Sequence, residues 1–181
     1  EADRLGVEKV YVHALLDGRD VPETSALIYV EALENHLRKF DGKQGRRYKV
    51  ASGGGRMKVT MDRYEADWEM VHLGWKTHVL GEGERFPSIE AAVKEIRVRQ
   101  PGVIDQFLPP FVIADDAGPV GAVRDGDSVV FFNFRGDRGI EISRAFDEAP
   151  LRPMVEEACG KVLALTRAND QERAVLLEMA A

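Results

Sequence analysis

The residues with the clearest chemical potential are two arginines in the segment NFRGDR at 133–138, namely Arg135 and Arg138. They follow an apolar run at 128–132 that is typical of a buried strand in a parallel sheet. Open α/β sheets bind ligands at the carboxyl ends of their strands. Guanidinium groups bind phosphate or carboxylate through paired hydrogen bonds. The segment therefore predicts a site for a small molecule that carries several negative charges.

Arginines also follow the two other best predicted strands. Arg19 lies in the turn after the first strand, and Arg56 follows the second strand and three glycines. Arg63 lies in the loop beyond Arg56. Because parallel strands end at one edge of a sheet, we expect these guanidiniums to converge with Arg135 and Arg138. Each turn alone is also consistent with a solvated polar loop, but the recurrence at three strand ends favours a binding site.

Other polar groups near these turns have simpler interpretations. The glycines at 53–55 predict either a flexible loop or backbone that approaches an anion closely. The interval 56–63 lacks the G-x-x-x-x-G-K-[ST] pattern, so it is not a P-loop. His13 lies inside an apolar strand, and we interpret it as a core histidine rather than a catalyst. The other three histidines lack ligand-like spacing, and the carboxylates form no recognisable metal-binding cluster.

The elements that must position these arginines alternate along the chain. Strands are predicted at 9–15 and 48–51, and a helix capped by Thr24 or Ser25 runs between them to about Phe40. The apolar side of this helix is formed by Leu27, Ile28, Val30, Leu33 and Leu37. A second helix passes through Trp68, Val71 and Trp75 and is followed by an extended piece ending at Gly81. A third helix begins after Ser88 and stops before Pro101.

The remaining segments complete an α/β prediction. A short β excursion is expected near 103–126, around residues 111–113, before the strand at 128–132 and a helix at 140–146. The order of elements predicts a largely parallel sheet flanked by helices. We divide the chain into a domain at 1–148 and a helical tail of unknown role at 149–181. The chain begins at Glu1 without Met, so we expect the domain to be incomplete at its N-terminal end.

Composition excludes several classes of function. The net charge of -6 argues against a nucleic-acid partner. No run approaches the roughly 20 apolar residues that span a bilayer, so we expect no membrane association. Cys159 is the only cysteine, which excludes an internal disulfide and favours a reducing, cytoplasmic location.

Five segments, in order, resemble the family of cofactor-independent phosphoglycerate mutases. The segment VHALLDGRDVP at 12–22 resembles its H-x-x-x-D-G-R-D motif, and ASGGGRMKVTMDRYEADW at 51–68 resembles its glycine-arginine and M-D-R segments. The segment 51–68 has the form typical of the plant-like and trypanosomatid-like branch, and DQFLPPFVI at 105–113 and DGDS at 125–128 resemble the same branch. NFRGDR at 133–138 completes the set of family segments. The resemblance covers roughly residues 7–148.

The resemblance implies a glycolytic isomerase that interconverts 3-phosphoglycerate and 2-phosphoglycerate through a phosphoserine. This chain resembles the inserted substrate-binding domain of the family. The substrate-binding residues implied are Arg19, Asp20, Arg56, Arg63, Arg135 and Arg138. Asp20 is the implied catalytic residue, since it could accept a proton from the attacking hydroxyl.

The resemblance also implies what this segment lacks. In the family, a phosphatase-like domain holds the nucleophilic serine and two divalent metals, usually manganese, with magnesium or cobalt as alternatives. We find neither in this sequence and expect the segment alone to bind no metal and to be inactive. No 2,3-bisphosphoglycerate is required. The implied partners are the two phosphoglycerates and the phosphatase-like domain of the same protein, and the expected state is a monomer.

Two other readings remain open. The first is a stand-alone anion-binding or regulatory module with the same fold and no catalysis. The second is a different phosphotransferase of the same superfamily, such as a phosphopentomutase, whose inserted domain should not carry this series of motifs.

Overall fold

The computed structural model describes residues 1–59 and 68–132, together with residues 143 and 146. The chain divides into two compact units, one formed by 1–59 and 73–128 and the other by 60–72 and 129–181. In the second unit, the rings of Phe131 and Phe146 meet edge to face with centroids 5.6 Å apart. The sheet and all the site residues described below belong to the first unit.

Five strands and three α-helices form the described fold. The strands are β1 (Lys9–Leu16), β2 (Arg47–Gly55), β3 (Glu84–Phe86), β4 (Phe111–Asp115) and β5 (Gly118–Pro119). The helices are α1 (Ala26–Arg38), α2 (Trp68–Trp75) and α3 (Ile89–Arg99). Short 3-10 turns lie at Lys43–Gly45 and Asp105–Phe107, and a π-helical segment at Lys76–Leu80 continues α2.

The sheet is mixed, with strand order β1-β2-β4-β3 and β5 paired to β4. β1 pairs with β2 in parallel, and β3 pairs with β4 in parallel. The β2–β4 and β4–β5 pairings are antiparallel. The predicted α/β class is confirmed. The sheet is mixed rather than largely parallel as predicted, because its strands pair in both parallel and antiparallel directions. The predicted β excursion at 111–113 is a central strand, β4, which lies between β2 and β3.

The apolar core lies between the sheet and helices α1 and α3. Phe111 from β4 and Ile89, Val93 and Ile96 from α3 are among its fully buried side chains. Ser88 caps α3 as predicted, because its Oγ accepts a hydrogen bond from the backbone N–H of Ala91 at 3.0 Å. The helix ends at Arg99, before the proline that cannot extend it.

Helix α1 departs from its predicted start and face. Ser25 occupies the N-cap position, but its hydroxyl donates to the carbonyl of Pro22 and accepts no helix amide. The buried carboxylate of Asp105 accepts the hydrogen bond of the Ala26 N–H instead, at 2.8 Å. On the predicted apolar face Val30 and Leu37 are buried, but Ile28 is exposed. The cap is therefore supplied from a distant segment.

Two predicted elements are wrong. Residues 76–80 are π-helical rather than extended, since they continue the apolar helix before them. Residues 127–132 have no regular structure, and Val130 and Phe132 are exposed rather than buried in a strand. Apolar content alone indicates no pairing partner, and the positions beside β2 are taken by β1 and β4. The predicted helix at 140–146, apart from residues 143 and 146, and the tail at 149–181 lie outside the described residues.

Candidate functional site

The site lies where β1 and β2 end side by side. The two strands are parallel, and their last paired residues are Leu16 and Gly55. Asp17 and Arg56 therefore follow the sheet at the same edge. The backbone N–H of Arg56 donates to the carbonyl of Leu16 at 2.9 Å, which fixes the start of the second turn against the end of the first strand. The strand-end prediction holds for these two turns.

Arg56 is the central residue of this edge and is only 5% exposed. Its Nη1 donates to Oδ1 of Asp17 at 2.5 Å and lies 3.3 Å from Oδ2 of Asp20. Its Nε and Nη2 are also buried, and they have no hydrogen-bond partner among the described residues. One side of the guanidinium is thus held by two carboxylates, while the donors on the other side are satisfied by none of the described residues.

The unsatisfied side of Arg56 has the geometry of an anion clamp. Nε and Nη2 donate in the same direction from one edge of a planar group, and this fork matches the two oxygens of a carboxylate or phosphate. A buried donor without a partner is unfavourable by about 1–3 kcal/mol, and by more for a charged group. An anion that supplies two oxygens would remove this unfavourable term. The arrangement is therefore suited to binding one anionic group.

The turn at 17–20 is ordered by its first residue. Oδ2 of Asp17 accepts the backbone N–H of Asp20 at 3.1 Å, which places the Asp20 carboxylate beside Arg56. Gly18 adopts a left-handed φ of 63°. A Cβ at Gly18 would also lie 2.9 Å from the Cβ of Asp105, so glycine is required for both reasons. Arg19 is exposed beside this turn and makes no hydrogen bond or ion pair within the described part of the chain.

The 3-10 turn at Asp105–Phe107 supports the strand ends. The backbone N–H of Met57 donates to the carbonyl of Gln106 at 2.9 Å, and that of Gly55 to the carbonyl of Leu108 at 2.8 Å. A Cβ at Gly55 would lie 2.4 Å from the backbone of Gln106. The sequence suggested that the three glycines at 53–55 form either a flexible loop or backbone amides that approach an anion, and the structure shows neither. They form the end of β2, and close packing explains why they lack side chains.

The structure gives positions for three of the six predicted site residues, and binding of a ligand by any of them stays a prediction. It places Arg19, Asp20 and Arg56 at one edge of the sheet. Arg63, Arg135 and Arg138 lie outside the described residues, so their participation stays a prediction.

Two residues that organise the site were not singled out from the sequence. Asp17 holds Arg56, and Asp105 links the neighbouring turn to α1. Asp17 could have been found from the sequence, because the parallel register of β1 and β2 places the residue after β1 beside Arg56. Asp105 had no comparable local signal, because its partner Ala26 lies 79 positions away.

A largely buried cluster of two histidines and a serine lies before this edge, with His13 on β1, Ser52 on β2 and His78 on the π-helical segment. Ser52 Oγ lies 2.7 Å from Nδ1 of His13 and 2.6 Å from Nδ1 of His78. The two imidazole rings meet edge to face with centroids 5.6 Å apart. His13 is a hydrogen-bonded core histidine as predicted. Its contact with His78 was not predicted, because the π-helical segment that carries His78 was taken as extended.

Burial keeps both histidines neutral. It lowers the pKa of His13 to about 4, and together with the proximity of His13 it lowers the pKa of His78 to about 3. A neutral pair suits Ser52, which has one hydroxyl hydrogen and can donate to one ring while it accepts from the other. Protonation of either ring would place a charge in the core and remove an acceptor.

We expect the free energy of unfolding to fall as the pH is lowered from 6.5 towards 4. Each histidine has an ordinary pKa of 6.5 when unfolded, so the unfolded state binds more protons in this range. The stabilisation that depends on the neutral histidines is fully present above pH 6.5. Below about pH 3 both histidines are protonated in either state, and they change the free energy of unfolding no further. At about 1.4 kcal/mol per pKa unit, the His13 shift alone corresponds to roughly 3 kcal/mol.

Urea unfolding at pH 7 and pH 4.5 measures this effect. The variant His13→Asn removes one titrating ring and should lose part of the dependence on pH. His36→Asn, on the exposed face of α1, is the matched control and should retain all of it. An unchanged dependence in His13→Asn would contradict the assignment.

Comparison with known proteins identifies the family. The family described as "BPG-independent PGAM N-terminus (iPGM_N)" matches residues 1–175. The chain belongs to this family. The match covers most of the tail as well as the predicted domain at 1–148, although the division between them stays a prediction.

Relatives that match this chain bear names consistent with that family. A "Probable 2,3-bisphosphoglycerate-independent phosphoglycerate mutase" of Leptospira interrogans is 58% identical over 142 residues, which are 78% of this chain and 26% of that protein. The 2,3-bisphosphoglycerate-independent phosphoglycerate mutase of Trypanosoma brucei brucei is 52% identical, over 79% of this chain and 26% of its own length. The enzyme of Zea mays is also 52% identical, over 80% of this chain and 26% of its own. The chain spans about a quarter of the length of these relatives.

A solved structure agrees in fold and family. The crystal structure of Leishmania mexicana phosphoglycerate mutase at low cobalt concentration superposes with a TM-score of 0.78 and 46% identity. The superposition covers 82% of this chain and 27% of that one. The family resemblance read from the sequence, including its plant-like and trypanosomatid-like character, is therefore confirmed.

The cobalt named for that relative raises the question of whether this chain could hold a metal. Among residues 1–59, 68–132, 143 and 146, no three His, Cys, Asp or Glu side chains group in a way that could hold a metal ion. The described residues thus do not fit a metal centre, and no step proposed below passes through one. Within the same residues, no helix is long and apolar enough to cross a membrane.

Proposed function

We propose that this chain binds 3-phosphoglycerate and 2-phosphoglycerate at the carboxyl edge of β1 and β2, as the substrate-binding part of a phosphoglycerate mutase. The observation that carries the proposal is the buried edge of Arg56, whose Nε and Nη2 have no partner in the described part of the chain. Both ligands carry a carboxylate and a phosphate, and each group presents the paired oxygens that this edge fits. The family to which the chain belongs supports the choice of ligand.

Three described residues have distinct roles in this proposal. Arg56 binds one anionic group of the glycerate through its free edge. Arg19, exposed beside the turn, adds a second positive charge near the same ligand. Asp20 lies 3.3 Å from Arg56 and is 58% exposed, so its carboxylate can reach the glycerate hydroxyls. Arg63, Arg135 and Arg138 are proposed to bind the same ligand on the strength of the sequence motifs.

Asp20 is the proposed proton acceptor of this segment. As a glycerate hydroxyl forms its new bond to the phosphorus of the phosphoserine, the bond from phosphorus to the serine oxygen breaks, and the hydroxyl proton passes to the Asp20 carboxylate. In the reverse transfer the serine oxygen takes back the phosphoryl group, and the proton returns from Asp20 to the glycerate oxygen. The arginines neutralise the ligand and hold it in position, which is the usual contribution of protein groups to phosphoryl transfer. The phosphoserine, and a divalent metal that is manganese, magnesium or cobalt, are proposed to belong to a phosphatase-like domain. A monomeric state and a cytoplasmic location complete the proposal.

Titration calorimetry of the chain with 3-phosphoglycerate, glycerol 3-phosphate and inorganic phosphate tests the proposed ligand. We expect 3-phosphoglycerate to bind at least about 10-fold more tightly than inorganic phosphate, because a second anionic group adds charged hydrogen bonds of about 1.5–3 kcal/mol each. Glycerol 3-phosphate, which lacks the carboxylate, should bind with intermediate affinity.

Each other outcome has a definite meaning. Equal affinities for all three compounds would favour the alternative of a general anion-binding module. Failure of all three to bind would overturn the proposal. We also expect no mutase turnover from this chain alone with manganese, and turnover would contradict the assignment of the phosphoryl chemistry to another domain.

A further inference from the structure

We propose that Asp17 is a positioning residue that prepares Arg56 and Asp20 together for the ligand. The inference deepens the proposed function and rests on it. Asp17 is the first residue after β1, and its two carboxylate oxygens are used separately. Oδ1 accepts from Nη1 of Arg56 at 2.5 Å, and Oδ2 accepts from the backbone N–H of Asp20 at 3.1 Å. One carboxylate thus fixes both the side chain that follows β2 and the turn that follows β1.

The choice of guanidinium nitrogen is the informative feature. A carboxylate that faced Nε and Nη2 of Arg56 would occupy the edge that binds anions side-on. Asp17 instead binds Nη1, which leaves Nε and Nη2 paired in orientation and without a partner among the described residues. Asp17 therefore orients the guanidinium without competing for the ligand.

A second consequence concerns Asp20. The hydrogen bond from the Asp20 N–H to Asp17 closes the turn and brings the Asp20 carboxylate within 3.3 Å of the same Nη1. The side chain of Asp17 is 30% exposed and that of Asp20 is 58% exposed, so Asp20 is the more exposed of the two carboxylates. Asp17, the more buried carboxylate, positions its neighbours, and Asp20, the more exposed one, contacts the ligand.

Asparagine cannot replace Asp17 in this arrangement. Both groups that face its carboxylate are donors, the Arg56 guanidinium and the Asp20 N–H. An asparagine amide has one acceptor oxygen and one donor NH₂, so it can satisfy only one of them. The substitution Asp17→Asn keeps the shape of the side chain, and it should release either the guanidinium or the turn.

The expected sign of the effect separates this role from simple electrostatics. Removing a negative charge near an anion site should strengthen anion binding if Asp17 only repels the ligand. Removing a positioning contact should weaken it. We expect Asp17→Asn to weaken the binding of 3-phosphoglycerate by about 10- to 100-fold, the range for a lost charged hydrogen bond.

The test is a double-mutant cycle read by calorimetry with 3-phosphoglycerate. It compares wild type, Asp17→Asn, Arg56→Met and the double variant. If Asp17 acts largely through Arg56, then Asp17→Asn should have a much smaller effect in the Arg56→Met background, and the remaining effect is the part that Asp17 exerts through Asp20. Asp116→Asn is the matched control, since it makes the same change in an exposed residue after β4. β4 runs antiparallel to β2, which places Asp116 at the opposite edge of the sheet.

A second measurement does not require the ligand. In ¹H–¹⁵N spectra of the Arg56 side chain, the pair with Asp17 should slow rotation of the guanidinium, so that Nη1 and Nη2 give separate signals. These signals should average in Asp17→Asn and stay separate in Asp116→Asn.

The outcomes distinguish this inference from the proposed function. Failure of wild type to bind 3-phosphoglycerate would overturn the proposed function, and the spectra would still decide the role of Asp17. Unchanged or tighter binding by Asp17→Asn, fully additive effects in the cycle, or unchanged Arg56 signals would each overturn the inference.

Discussion

Replacing Arg56 with alanine should weaken the binding of 3-phosphoglycerate by at least about 100-fold. The substitution removes the two donors, Nε and Nη2, that are buried and unsatisfied among the described residues. Two charged hydrogen bonds of about 1.5–3 kcal/mol each, with allowance for non-additivity, account for a loss of this size. Arg56→Lys keeps the charge but not the planar fork, so it should recover only part of the affinity.

The fold should survive this substitution. Asp17 and Asp20 are both partly exposed and can be hydrated once Arg56 is absent. Arg47→Ala is the matched control, because Arg47 begins the same strand at its other end, and its side chain makes a long ion pair of 3.8 Å with Asp115. Calorimetry should show Arg47→Ala within about 2-fold of wild type. An Arg56→Ala protein that is folded and binds within about 3-fold of wild type would remove Arg56 from the site.

Replacing Asp105 with alanine should lower the free energy of unfolding by about 3–5 kcal/mol, as expected when one partner of a buried ion pair is removed. Asp105 is 1% exposed. Its Oδ1 accepts from Nη2 of Arg97, and its Oδ2 accepts from the N–H of Ala26 at the start of α1. The substitution would leave Arg97 without its carboxylate and α1 without its cap.

Urea unfolding at pH 7 measures this loss. Asp105→Asn retains one acceptor and should have a smaller effect, near the value of about 1 kcal/mol typical of a helix cap. Asp116→Ala changes an exposed aspartate and should stay within about 0.5 kcal/mol of wild type. A loss below about 1 kcal/mol for Asp105→Ala would mean that the contacts of Asp105 do not stabilise the fold.

Elements with a local signal could be predicted from the sequence. β1 and β2 have the β-branched and aromatic content of strands, and α3 begins at a serine that caps it and ends before a proline. These signals depend on neighbouring residues and on backbone preferences that act within one or two turns. The bounds of β1 and α3 accordingly fall close to the predicted ones, whereas β2 continues to Gly55, beyond its predicted end at residue 51.

Elements whose structure depends on distant partners could not be predicted in the same way. The run at 128–132 has strand-like composition, yet it has no regular structure and exposes Val130 and Phe132. A segment becomes a strand only when an edge is available to pair with it. The mixed direction of the sheet likewise depends on how β4 inserts beside β2, which the order of elements does not specify.

The candidate site shows the same division. The strand-end rule was sufficient to place Arg19 and Arg56 at one edge of the sheet. Each follows one of two neighbouring strands, β1 and β2, and these strands run in parallel. The sequence could not show which nitrogens of Arg56 are used, since that depends on Asp17, 39 positions away. The free edge of the guanidinium is therefore a result of the structure alone.

A crystal structure with bound 3-phosphoglycerate tests the central claim most directly. The account predicts that Nε and Nη2 of Arg56 lie about 2.7–3.2 Å from two oxygens of one anionic group of the ligand. It also predicts that Nη1 of Arg56 remains on Asp17. A complex in which the ligand is bound elsewhere, with no ligand oxygen near that edge of Arg56, would contradict the account.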